Sequence, residues 1–224
     1  MEIYIHIGLE KTGSTFLQRN VFPNLKDVNY VSQWTSSNRE KLLLSPVYDD
    51  KINLFSDEIF SLHDSQETHR CSRVEIANRL HKIFPYANII LVLRDKEDWM
   101  RSLHRQYTTN TPNVSFNKWY DTVFVQDDLD YDGYVNHLKS LFNDVFILQY
   151  ETLKNNPDEF VKQICNYIGV PVPVYKNEFV NKSGTIDEYN KTHAKINNLK
   201  GSLLFKTIIM VKDYVQKHIF YFTK

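Results

Sequence analysis

The first eighteen residues constrain this chain more than any others. A short apolar strand, Ile3 to Ile7, runs directly into Gly8-Leu9-Glu10-Lys11-Thr12-Gly13-Ser14-Thr15-Phe16-Leu17. A strand that passes through a glycine-containing turn into a helix start leaves successive backbone N–H groups converging on one point. The unpaired N–H groups and positive dipole end of the helix add to them. Such a turn suits an anion of the phosphate or sulfate kind. A glycine turn before a helix is also a common connection, so the feature needs support from elsewhere in the chain.

The turn departs from the Walker A pattern G-x-x-x-x-G-K-[ST], in which the lysine follows the second glycine. Here Ser14 holds that place, and the lysine comes earlier, as Lys11. Its ammonium therefore enters from the loop instead of from the first helical turn. No apolar strand ends in an aspartate well placed for Mg²⁺, which a P-loop NTPase uses to neutralise the transferred group. A donor that needs no metal fits better, and no metal is expected.

A second element lies mid-chain. Asn88-Ile89-Ile90-Leu91-Val92-Leu93 is a continuous apolar run of the kind found in buried parallel strands, and it ends in Arg94-Asp95, with Ser102 eight residues past Arg94. A guanidinium makes paired, charge-assisted hydrogen bonds to a phosphate, and a hydroxyl one or two helical turns on supplies another donor. The plainer reading of a strand-end arginine is a surface ion-pair partner.

Lys11-Thr12-Gly13-Ser14-Thr15 resembles the K-[ST]-G-[ST]-T loop of sulfotransferases that use 3′-phosphoadenosine 5′-phosphosulfate (PAPS). In that family the loop holds the 5′-phosphosulfate, and an arginine and serine with the order and spacing of Arg94 and Ser102 hold the 3′-phosphate. The family usually has proline two residues after the arginine, where this chain has Lys96. The Tyr150-Glu151-Thr152-Leu153 strand end and the helix closing in Ile168-Gly169-Val170 also look like the late part of such domains. The resemblance covers roughly residues 1–184, although its specific motifs are short.

Composition is consistent with one compact domain over residues 1–224: the chain is 42% hydrophobic and 14% aromatic, enough for a single core. Lys plus Arg and Asp plus Glu number 27 each, so no basic field announces nucleic-acid binding. Cys71 and Cys165 have neither metal spacing nor a disulfide framework, and Cys165 falls on the apolar face of an expected helix. With Met1 leading almost at once into the first strand and no membrane span evident, the expected location is cytoplasmic.

Strands and helices alternate, which predicts an α/β fold with a central parallel sheet flanked by helices, a three-layer, P-loop-like architecture under the resemblance. Helix is expected from Ser14 to Val21, strand at Asn29 to Val31 and Lys51 to Ser56, and helix after the Ser72-x-x-Glu75 capping box as far as Pro85. Helices follow at Asp95 to Tyr107 and Tyr131 to Phe142, then a strand from Val145 to Tyr150. The helix that follows has Pro157 near its first turn with Asp158 and Glu159 beside it, and Gly169 closes it. Residues 202–222 carry an apolar stripe opposite Lys206, Lys212, Lys217 and His218, which predicts an amphipathic helix. It could pack on the core, form a homodimer or contact a membrane surface.

The resemblance implies transfer of a sulfuryl group to the hydroxyl of an acceptor, in the carbohydrate or polysaccharide-precursor class. Lys11 is then the residue that neutralises charge on the bridging and sulfuryl oxygens, with Thr12, Gly13, Ser14 and Thr15 holding the donor. Phe16 stands where some relatives stack adenine, and a core role is the alternative. Glu58, in Phe55-Ser56-Asp57-Glu58, corresponds to a proposed base in bacterial and heparan-type enzymes, while Asp57 and Glu58 would equally serve as a helix cap. His63 is the reserve base, and His6 and His104 have weaker claims. Lys182, in Asn181-Lys182-Ser183-Gly184, falls where the family closes a loop over the nucleotide; a solvated lysine is the alternative. Two rival readings are a P-loop small-molecule kinase and a non-catalytic nucleotide-binding protein.

Overall fold

The computed structural model describes residues 2–32, 47–57 and 72–177. All belong to one unit, Met1–Glu178; Phe179–Lys224 falls in a second unit outside the described residues. The expected helix at 202–222 lies there, as does the Lys182 loop.

Five strands form one parallel sheet: β1 (Glu2–Ile7), β2 (Val28–Ser32), β3 (Ile52–Asp57), β4 (Asn88–Leu93) and β5 (Asp144–Gln149). Their order is β2-β3-β1-β4-β5, with β1 central and paired on both sides. Parallel strands need crossovers that cover the sheet, so their apolar residues are buried on both faces. On one face Ile3, Ile5 and Ile7 of β1 join Phe55, Ile89, Leu91 and Val145. They pack against Ala77 and Leu80 of α2 (Arg73–Ile83) and Tyr134, Val135 and Leu138 of α5 (Tyr131–Leu141). On the other face Tyr4 and Phe146 meet Tyr167 of α7 (Pro157–Ile168), with ring centroids 5.6 and 4.4 Å apart. The result is the three-layer α/β fold that the alternation of elements implies.

Helix boundaries follow local chemistry. Ser72 accepts from the Glu75 N–H while the Glu75 carboxylate accepts from the Ser72 N–H, so the capping box forms. Asn156 caps α7, Pro157 sits in its first turn, and Gly169 ends it at φ 82°, a left-handed conformation suited to glycine. The first helical segment differs from a plain α-helix. Ser14–Phe16 (α1) passes into a π-helical turn, Leu17–Val21, and then a 3₁₀ turn, Phe22–Asn24. Two helices carry no clear sequence signal: α4 (Phe116–Thr122) and α6 (Tyr150–Asn155). The second begins where the strand was expected to end, so Tyr150 is helical.

β1 also carries a buried histidine. The His6 ring is wholly enclosed, bonded through Nδ1 to Ser56 Oγ at 2.7 Å and packed edge-on to Phe22. Gln18 donates to the same Ser56 oxygen at 3.1 Å. Burial pushes the His6 pKa down to about 3. Because the unfolded chain titrates near 6.5, below that pH it binds a proton that the folded chain refuses. The stability contributed by neutral His6 is therefore complete above about 6.5 and lost as pH falls toward 3, at a slope approaching about 1.4 kcal/mol per pH unit. Urea unfolding at pH 7 and 5 checks this: the wild-type loss exceeds that of His6→Gln, and equal losses would rule it out.

Candidate functional site

Neighbouring parallel strands deliver the loops after β1 and β4 to the same end of the sheet, where open α/β sheets build their sites. The turn after β1 is tied down at three consecutive carbonyls. Thr12 Oγ1 donates to Leu9 O at 2.6 Å, Trp99 Nε1 to Glu10 O at 2.8 Å, and Arg94 Nη1 to Lys11 O at 2.9 Å. Ser14 Oγ adds a longer bond, 3.4 Å, to Leu9 O. Lys11 and Gly13 both have left-handed backbones, at φ 64° and 88°. Interleaving such residues with right-handed ones turns successive N–H groups toward a common concavity. Among the described residues, the backbone N–H groups from Lys11 to Thr15 have no acceptor. Because α1 is only three residues long, the turn, more than a helix dipole, supplies these donors.

Close packing holds the turn in place. A Cβ on Gly13 would stand 2.3 Å from Leu153 Cδ2 of α6, and one on Gly8 would stand 2.5 Å from Ser14 Oγ. Only glycine combines the left-handed backbone at 13 with this approach to α6.

Arg94 leaves β4 and reaches back across the sheet end to Lys11, so the two elements that the sequence places 83 residues apart touch. Its guanidinium lies 4.5 Å from the centroid of the Tyr150 ring, and its buried Nε has no hydrogen-bond partner among the described residues. Asp95 caps α3 (Lys96–Asn110) by accepting from Asp98 N, while its own N–H donates to Glu151 Oε1 at 3.1 Å. Ser102 is half-buried two turns into α3. Lys96, where the family pattern has proline, opens that helix at its first position, a place that accommodates either residue.

The remaining expected residues fall variously. Thr12 and Ser14 direct their hydroxyls at Leu9 O, which leaves their backbone N–H groups facing outward from the turn's own bonding. Phe16 is buried edge-on against Tyr175, a core position without an open stacking face. His104 bonds Val114 O at 2.9 Å and packs against Phe116 and Trp119, a structural role. Glu58 and His63 lie outside the described residues, as does Lys182. Sequence reasoning missed Glu10, Trp99, Tyr150 and Leu153 as parts of the site. For Trp99 a signal existed, since a buried indole N–H needs an acceptor.

Electrostatics at this end centre on Arg73. It pairs with Asp128 at 3.3 Å, donates to Asp128 O at 3.2 Å, and lies 5.0 Å from the Trp99 ring and 5.9 Å from that of Tyr134. Burial raises the Glu10 carboxyl above its ordinary value, against the opposing pull of Lys11 and Arg73. Burial likewise pushes the Tyr131 phenol up to about 12. Among the described residues no group of three or more His, Cys, Asp or Glu is placed to hold a metal ion, and no helix is long and apolar enough to cross a membrane.

A known structure shares this architecture. A sulfotransferase from Alicyclobacillus acidocaldarius is similar in structure, with a TM-score of 0.56 at 13% identity over 87% of this chain and 92% of that one. Mouse sulfotransferase SULT7A1, solved in complex with PAP, gives a TM-score of 0.48 at 15% identity over 90% of this chain and 67% of that one. No curated protein matches the chain in sequence. The model of the sulfotransferase family matches residues 46–174, more than half the chain, and the match takes in β3, β4 with Arg94, and the helices through α7. This chain belongs to the sulfotransferase family.

Proposed function

We propose that the chain is a PAPS-dependent sulfotransferase that moves a sulfuryl group to a hydroxyl of a carbohydrate or polysaccharide precursor. The observation that carries this reading is the row of N–H groups from Lys11 to Thr15 without acceptors, beside an arginine anchored to the same turn. A row of unpaired N–H groups running through a left-handed turn fits an oxyanion. The residues present suit the donor. The turn would hold its 5′-phosphate and sulfuryl oxygens, and Arg94 with Ser102 would take the 3′-phosphate of the ribose. When bound, the donor supplies the activated sulfuryl group.

Lys11 has the catalytic part in this scheme. Its ammonium lies on the loop itself, where negative charge grows on the bridging and sulfuryl oxygens as the phosphosulfate bond breaks. Fixed donors of this kind stabilise the transition state without reorganising, because the protein set their positions when it folded. The acceptor class rests on the bacterial-type resemblance, which the Glu58 segment carries.

Isothermal titration calorimetry tests the donor assignment. Micromolar binding of 3′-phosphoadenosine 5′-phosphate, with ATP and Mg²⁺ much weaker, is the expected result. Tight binding of ATP with Mg²⁺ and none of the bisphosphate would reverse the assignment in favour of a kinase.

A further inference from the structure

We propose that Trp99 is a positioning residue for the donor: its indole N–H fixes the peptide between Glu10 and Lys11, and so aims the Lys11 N–H at the 5′-phosphosulfate. The inference rests on the sulfotransferase reading and adds to it a residue that acts only through the turn.

In a trans peptide the C=O of one residue and the N–H of the next point in opposite directions. A bond that draws the Glu10 carbonyl toward α3 therefore turns the Lys11 N–H away from α3, and Trp99 Nε1 makes that bond at 2.8 Å. Lys11 stands at φ 64°, a region that side-chain-bearing residues avoid because Cβ crowds the backbone there. Rotating the Glu10–Lys11 peptide by half a turn would return Lys11 to a negative φ and swing its N–H out of the row. Strained conformations of this kind persist only where the surroundings over-determine them. Here the peptides on either side of Lys11 are both held, one by Trp99 and the other by Arg94 at 2.9 Å.

The indole can hold the turn because it is itself held. Trp99 is buried, with the Arg73 guanidinium 5.0 Å from its ring and the rings of Phe124 and Tyr131 edge-on at 5.9 and 6.1 Å. A buried indole N–H needs an acceptor, and Glu10 O supplies it. Phenylalanine fills much of the same space but has no donor. Ser102 follows Trp99 by three positions on α3, a spacing that makes the two neighbours on the helix surface. One helix thereby shapes the turn for the donor's 5′ end and carries the hydroxyl proposed for its 3′-phosphate.

The test is calorimetry on wild type, Trp99→Phe and Trp119→Phe with 3′-phosphoadenosine 5′-phosphate and with adenosine 3′-phosphate, which lacks the group that the turn holds. Trp119 is the control, an indole as buried as Trp99 and packed on the same Phe124, with no bond to the turn among the described residues. In Trp99→Phe the bisphosphate binds about tenfold more weakly, the effect of one hydrogen bond, while adenosine 3′-phosphate changes by less than about twofold. Trp119→Phe leaves both affinities within about twofold of wild type. A folded Trp99→Phe protein that keeps its bisphosphate affinity overturns the assignment. So does one that loses both ligands equally, because equal loss marks a helix displaced as a whole.

A second measurement needs no substitution at Trp99. An anion on the Lys11 N–H polarises the peptide and strengthens the bond that the Glu10 carbonyl accepts. In ¹⁵N-labelled wild type the Trp99 indole proton signal, identified once those of Trp34 and Trp119 are removed by substitution, moves downfield with the bisphosphate and not with adenosine 3′-phosphate. An unmoved signal at saturating bisphosphate overturns the role of Trp99 even if Trp99→Phe does not fold. A wild type that binds no bisphosphate overturns the sulfotransferase reading itself.

Discussion

Gly13→Ala lowers the melting temperature by roughly 5–15 °C. Two costs combine at this position. A left-handed backbone costs a non-glycine residue about 1–2 kcal/mol, and Gly13 sits at φ 88°. The new methyl would also lie 2.3 Å from Leu153 Cδ2, and overpacking of that kind costs about 1–3 kcal/mol. For a chain of this length each kcal/mol moves the midpoint by roughly 2–4 °C. Gly169→Ala is the control, because its φ is 82° but nothing lies within 4 Å of the added Cβ. It loses only the conformational part. A Gly13→Ala/Leu153→Ala double variant costs less than the sum of its singles, since removing the leucine relieves the clash. Equal melting points for the two alanine singles would refute the steric part of the argument.

Arg94→Ala weakens binding of 3′-phosphoadenosine 5′-phosphate by about 10²–10³-fold in calorimetry. Hydrogen bonds to a charged group contribute about 1.5–3 kcal/mol each, and the proposed contact uses the paired donors of a guanidinium. The same residue pins Lys11 O at 2.9 Å and lies over Tyr150, so its loss also loosens the turn. Arg94→Lys restores the charge but neither the fork nor the planar face, and it recovers little of the affinity. Thermal unfolding of both variants separates lost binding from lost fold. An unchanged bisphosphate affinity in a folded Arg94→Ala protein removes this residue from the donor site.

What the sequence disclosed about the fold was local in origin. The Ser72 and Glu75 capping box, the Pro157 and Gly169 ends of α7, and the unbroken apolar run of β4 are each decided by residues a few positions apart. The candidate site was legible to the same extent: Lys11, Gly13 and Arg94 stand out by type and by position at strand ends, and the structure brings the three together at one sheet end. Less legible were the ties that shape the site, because they join residues far apart in the chain. Trp99 holds Glu10 and Arg94 holds Lys11 across separations of 89 and 83 residues. Similarly, α6 follows β5 without a linking loop, so Tyr150 reads as the last strand residue although it opens a helix. For Phe16 the sequence left two readings open, and its burial against Tyr175 favours the core role.

Because the oxygens of residues 9 to 11 are already engaged by Thr12, Trp99 and Arg94, the three peptide units that carry them are held against flipping when a ligand arrives. Loops that must reorient on capture lose part of their intrinsic affinity to the fraction of time spent in the wrong conformer. Under the proposed function, these three bonds keep that fraction small. Association with the nucleotide should accordingly be a single fast phase whose rate rises in proportion to ligand concentration, without the plateau that a slow rearrangement imposes.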